Sequence, residues 1–162
     1  MKCQDPPRLT NQPQARLNSM YYIGIDTGVN TGIAVWDNKQ RSLLEVETVK
    51  IHKAMELVEQ YQAKASFEGT KLIVRVEDAR KRTWFGYNTP QKDRAKLQGA
   101  GSVKRDCTIW EDYLTDLGVE FQMVAPKNNA TKLTADRFQV ITGWKKRTNE
   151  HCRDAAMLVF GF

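Results

Sequence analysis

At 162 residues the chain is long enough for one domain with a substantial core and short for two. Hydrophobic residues at 41% and charged residues at 27% describe an ordinary globular chain, and no window nears the roughly 18 consecutive apolar residues of a membrane span. The net charge of +6 directs attention to acidic partners, while Cys3, Cys107 and Cys152 form neither a disulfide framework nor a zinc site, so the cytoplasm is the expected compartment.

Residues 1–20 hold no apolar run of the secretory kind, and their Pro, Gln and Asn content predicts a flexible tail ahead of a folded domain over 21–162. Tyr21 to Ile25 reads as a strand buried on both faces and Thr31 to Trp36 as a second, with Gly28 and Asn30 in the turn between them. After the turn at Asp37 to Gln40, Leu43 to Val49 reads as a third strand. His52 to Phe67 shows helical spacing, with Met55, Leu57, Val58 and Tyr61 on or near one face. KLIVRVE, from Lys71 to Glu77, is a fourth strand, followed by the polar and aromatic run ARKRTWFGYNTPQKDR. Leu97 to Leu117 reads as a helix stopped by Gly118, and Val119 to Val124 as a fifth strand. Thr134 to Thr142 is a short helix ended at Gly143, and Asn149, a good N-cap, opens a last helix reaching Phe160.

Three strands joined by tight turns, then strands added through helices, predict an α/β domain: a mixed five-stranded sheet, three strands antiparallel and the later ones parallel, flanked by helices. This is the order of the ribonuclease H-like fold, and other α/β arrangements fit it too. In such a sheet Asp26 and Glu77 end neighbouring strands and face one crevice. His151 and Asp154, three apart, share a face of the last helix. Converging carboxylates repel unless a cation neutralises them, and oxygen donors with one imidazole suit Mg²⁺ or Mn²⁺ better than zinc.

Each residue also has a plainer reading. Asp26 could bond the Thr27–Gly28 turn, Glu77 could pair with a surface arginine such as Arg80, Asp154 could answer the helix dipole, and His151 could be a structural or surface histidine. The positive charge is concentrated. Residues 80–105 carry eight Lys and Arg against Asp93, and residues 127–147 carry six against Asp136. Such runs suit a polyanion or a solvated face equally well.

GIDTGVNTGIAVWD, IVRVEDA, KLQGAGSVKRD, VAP with TKLTADRFQVITGW, and NEHCRDAAMLV together resemble a Holliday-junction resolvase of the RuvC type, in a phage-like or divergent version, over about 140 residues from Tyr21 onward. The resemblance implies a ribonuclease H-like nuclease, a homodimer whose subunits each cut one strand of branched DNA by Mg²⁺-dependent hydrolysis. It implies two ions per site, with Mn²⁺ able to substitute. It implies metal ligands at Asp26, Glu77 and Asp154, with His151 as a further ligand or as the group that orients the attacking water. Lys132 resembles a phosphate-contacting lysine, and the small residues Gly99 to Ser102 resemble those of a close-packed central helix.

The chain departs from the family in its long segment after Glu77, where Trp84, Phe85 and Tyr87 stand between basic residues. Those rings could stack on unpaired bases at a branch point or anchor the segment on the core. The expected DNA-binding set is Arg80, Lys81, Arg82, Trp84, Phe85, Tyr87, Lys92, Arg94, Lys104 and Lys132. The N-terminal extension has no counterpart in the family. The expected setting is the cytoplasm, at the nucleoid or, for a phage-encoded chain, in the host. The competing readings are a non-catalytic nucleic-acid binder on the same fold and a ribonuclease acting on RNA or an RNA–DNA hybrid.

Overall fold

The computed structural model describes residues 19–81, 90–126 and 132–162, those at 90–98 and 100 by their backbone course only. Apolar β-branched runs form the sheet: β1 (Met20–Asp26), β2 (Asn30–Asp37), β3 (Ser42–Lys50), β4 (Lys71–Glu77) and β5 (Glu120–Val124). The helices are α1 (Ile51–Glu68), α2 (Pro90–Leu117), α3 (Ala135–Thr142) and α4 (Glu150–Met157), and a single 3-10 turn, Ala79–Lys81, follows β4. The strand order is β3-β2-β1-β4-β5. Strand β1 runs antiparallel to β2, and β2 to β3, while β4 is parallel to both β1 and β5. The expected mixed five-stranded α/β sheet with flanking helices is therefore present.

Alternation along the strands divides the core. Tyr21, Ile23 and Ile25 of β1, Ile33 and Val35 of β2, and Leu72, Val74 and Val76 of β4 face one side. There they meet Val58 and Tyr61 of α1 and Trp110 and Leu114 of α2. On the other side Ala34 and Val46 meet Phe138 of α3 and Cys152, Ala155 and Ala156 of α4. The molecule thus has a helical layer on each face of the sheet. Complete burial of an Ile or Val contributes about 1.5–3 kcal/mol, and Ile23, Ile25, Ile33, Val35, Val74 and Val76 are all fully buried.

Helix α4 lies directly against the sheet because two glycines leave room for its backbone. A Cβ on Gly24 would overlap the Ala155 carbonyl oxygen, and one on Gly32 would overlap the His151 carbonyl oxygen. Asn149 caps α4, its side chain accepting from the Cys152 amide at 3.2 Å while Cys152 Sγ accepts from the Asn149 amide at 3.3 Å. Thr48 of β3 donates to the same Asn149 side chain at 2.6 Å, fixing where the helix starts.

Most element ends fall within a residue of expectation, and three differences matter for the fold. Asn30 belongs to β2, paired with Lys50 across the ladder, so the turn after Asp26 is shorter. Helix α2 begins at Pro90 rather than Leu97; a proline with its fixed φ and no N–H suits the first helical turn. Helix α4 ends at Met157 rather than Phe160, and the chain closes in turns that dock on the sheet. Trp36 Nε1 donates to the Phe162 carbonyl at 2.8 Å, and Arg75 lies 4.3 Å from the Phe162 ring centre. Residues 1–18 of the expected tail lie outside the described residues, and Met20 already pairs with Lys71 in the sheet. Among the described residues no helix is long and apolar enough to cross a membrane.

Candidate active site

The parallel register pairs Gly24 with Arg75 and Ile25 with Val76. Continued by one residue, it sets Asp26 level with Glu77, and alternation turns both toward the face covered by α4. Across the other edge of β1, Asp26 pairs with Gly32, the glycine over which the first turn of α4 is seated. The result is a direct contact: His151 Nδ1 lies 2.9 Å from Asp26 Oδ2. With Asp26 ionised, the carboxylate only accepts and the Nδ1–H donates to it, and a neutral ring would then present Nε2 as an acceptor.

The Asp26 side chain is 15% exposed. Burial raises its pKa above the ordinary carboxylate value, His151 opposes that rise, Asp154 adds to it and Lys132 offsets it. Lys132 supplies a positive charge that Asp26 feels. Its Nζ lies 3.0 Å from Glu150 Oε2 and 3.6 Å from Asp154 Oδ2. The Glu150 hydrogen bond raises the lysine's pKa most, with Asp154 and Asp26 adding to it. Asp26, His151, Asp154 and Lys132 therefore form one electrostatically linked group.

Glu77 enters this end of the sheet through its strand position. Its main-chain carbonyl accepts from Thr27 Oγ1 at 3.2 Å, and Cys107 Sγ stands 3.7 Å from the same oxygen. These contacts tie the turn after Asp26, the end of β4 and helix α2 together. Among the described residues no three His, Cys, Asp or Glu side chains gather closely enough to hold one ion. The chemistry of the set nonetheless suits a hard cation. The largely buried Asp26 carboxylate feels the charge of Asp154, and Lys132 and the His151 imidazole stand with them, so oxygen donors predominate.

Asp26 and Arg80 each have specific partners. Asp26 bonds His151 instead of its own turn. Arg80 pairs with Asp78, at 2.8 Å, and with Glu111, at 2.7 Å. That makes Arg80 a structural cation: both carboxylates raise its pKa further, and it depresses that of Asp78, which is 1% exposed. Lys81 donates to the Met123 carbonyl at 2.6 Å. Arg80 and Lys81, expected on the DNA, are thus held by protein groups. Lys104 is exposed on α2. Arg82, Trp84, Phe85 and Tyr87 lie outside the described residues, as do the side chains of Lys92 and Arg94.

Sequence reading missed Asp78, Cys107 and the two seating glycines. A carboxylate two residues before an arginine was a usable sign for the first. The spacing Gly24-x-Asp26 was visible, but its meaning depends on a helix about 130 residues away in the chain. Compared with known proteins, the chain matches no family model and no curated relative.

Proposed function

We propose that the chain is a metal-dependent endonuclease of ribonuclease H-like fold that hydrolyses phosphodiesters in branched DNA, four-way junctions above all. The single observation carrying this reading is the contact between Asp26 and His151, made where β1 and β4 end side by side. The strand order with its antiparallel first three strands is compatible with the same fold.

In this reading Asp26, Glu77 and Asp154 would hold Mg²⁺, or Mn²⁺ in its place, as two ions. Bound there, the metal supplies a nucleophile at neutral pH and stabilises the departing oxygen. His151 is fixed through Nδ1 on Asp26, and its Nε2 would accept from the attacking water. Lys132, paired with Glu150 and Asp154 and 61% exposed, would exchange those contacts for a substrate phosphate. The proposed working form is a cytoplasmic homodimer. Ile109 on α2 is 39% exposed, and among the described residues no atom lies within 4 Å of a Cβ placed on Gly99 or Gly101, so this stretch of α2 has room for a partner.

The test compares synthetic four-way junction, linear duplex and RNA–DNA hybrid with Mg²⁺, for the wild type and for Asp26→Asn. Junction cleavage that falls at least 100-fold in the variant is the expected outcome, since losing a ligand removes several kcal/mol of transition-state stabilisation. Equal rates would remove the metal site from the reading. Preferential cutting of the hybrid would move the substrate to RNA, and metal binding without any cleavage would leave a nucleic-acid binder.

A further inference from the structure

Around the candidate site the described cations differ in their commitments. Arg80 and Lys81, on the β4 side of Asp26, are engaged by Asp78, Glu111 and the Met123 carbonyl. On the α4 side the segment from Thr134 to Arg147 carries Arg137, Lys145, Lys146 and Arg147 against Asp136 alone, a net +3 from four cations and one acid. All four are exposed. Lys146 lies 5.5 Å from the Trp144 ring centre, and none of the four forms an ion pair with a carboxylate among the described residues.

This segment is held firmly although little of it is buried. Within α3 only Phe138 is buried. Both ends of the loop are gripped by one guanidinium on α4: Arg153 Nε donates to the Leu133 carbonyl at 2.8 Å, and Nη1 donates to the Thr148 carbonyl at 3.1 Å and to Thr148 Oγ1 at 3.2 Å. Arg153 neighbours Asp154 in the sequence and follows His151 by two positions. The side chain that closes the loop therefore grows from the helix that carries half of the candidate site. Thr134 caps α3, its hydroxyl accepting from the Arg137 amide at 3.3 Å.

We propose that the Leu133–Thr148 loop is a preformed platform, pinned by Arg153, that receives the sugar–phosphate backbone of a DNA arm beside the active site. The proposal rests on the endonuclease reading and extends it to a second contact surface. Cations strung along a chain segment, Lys145 to Arg147 consecutively, suit a linear polyanion better than a single small anion, and each phosphate they neutralise releases a counterion. A loop fixed before binding avoids the ordering cost that a mobile basic tail would incur.

The test is anisotropy of a fluorescently labelled four-way junction with Ca²⁺ replacing Mg²⁺, across a salt series, with Mn²⁺ titration calorimetry alongside. The triple variant Lys145→Ala, Lys146→Ala, Arg147→Ala is expected to bind about 10- to 100-fold more weakly at low salt. Its salt slope should be shallower by about 2–3 units, and its Mn²⁺ affinity unchanged. Arg153→Met, which keeps the four cations but releases the loop, is expected to weaken junction binding as well; wild-type affinity there would overturn the pinning. Unchanged affinity and slope in the triple variant overturn the platform while wild-type cleavage leaves the endonuclease standing. A wild type that binds neither junction nor duplex overturns both and leaves these cations to an acidic protein surface.

Discussion

Asp26 carries a cost that its position explains. A carboxylate whose pKa is raised on folding holds its proton more tightly in the folded state. It therefore lowers stability as pH rises from the unfolded value to the folded one, and the penalty persists at neutral pH. For Asp26 the cause is burial, to which Asp154 adds. Asp26→Asn should consequently melt at a higher temperature than the wild type in EDTA, by about 2–4 °C per kcal/mol recovered, while cutting junction DNA at least 100-fold more slowly. A lower melting temperature would mean that the His151 contact outweighs the burial. Asp78 behaves oppositely. Its pKa is lowered, chiefly by the Arg80 hydrogen bond, so it stabilises the fold above the ordinary aspartate value and loses that contribution as pH falls below about 4. Melting temperature measured from pH 6 downward should drop more steeply for the wild type than for Asp78→Asn. At neutral pH that variant should be less stable by about 2–3 kcal/mol, less than for a fully buried pair because Arg80 is 30% exposed.

At the scale of elements, the seat of α4 decides the geometry of the site. Gly32→Ala would push its methyl into the His151 carbonyl, and Gly24→Ala into that of Ala155. Neither obstacle is a flexible side-chain end, so the helix itself must shift. Each variant is expected to lose more than about 2 kcal/mol by denaturant titration and to lose junction cleavage with it. Asn149→Ala, which removes the cap and the Thr48 bond together, should cost about 1–2 kcal/mol. These elements differ in how far they could be read beforehand. The strands KLIVRVE and YYIGI, the glycine stops after α2 and α3 and the Asn149 cap are local signals, and the structure carries each of them. The start of α2 was misjudged because its first turns are polar, with no apolar stripe to mark them. Asp26, Glu77, His151 and Asp154 could be proposed from the ends of elements. That His151 would bond Asp26, and that Arg80 would choose Asp78 and Glu111 over Glu77, depended on packing between segments distant in sequence.

For the molecule as a whole, the proposed dimer makes a distinct claim about coordinated cutting. Ile109→Glu, placed on the exposed face of α2, should convert a sedimenting dimer into a monomer that nicks junctions singly instead of cutting paired strands. A variant that stays dimeric would relocate the interface away from α2. The way α4 meets the sheet bears on the robustness of the entire assembly. With glycines at both points of approach, main chain rests on main chain there, at Gly24 beneath Ala155 and at Gly32 beneath His151. The reach of the imidazole is then set by a hard backbone stop, as a machine bearing is set by metal faces and not by its lubricant. Substitutions in the surrounding core, such as Val46→Ala or Met157→Leu, can soften the fold and lower its melting point while Asp26 and His151 stay where the backbone holds them.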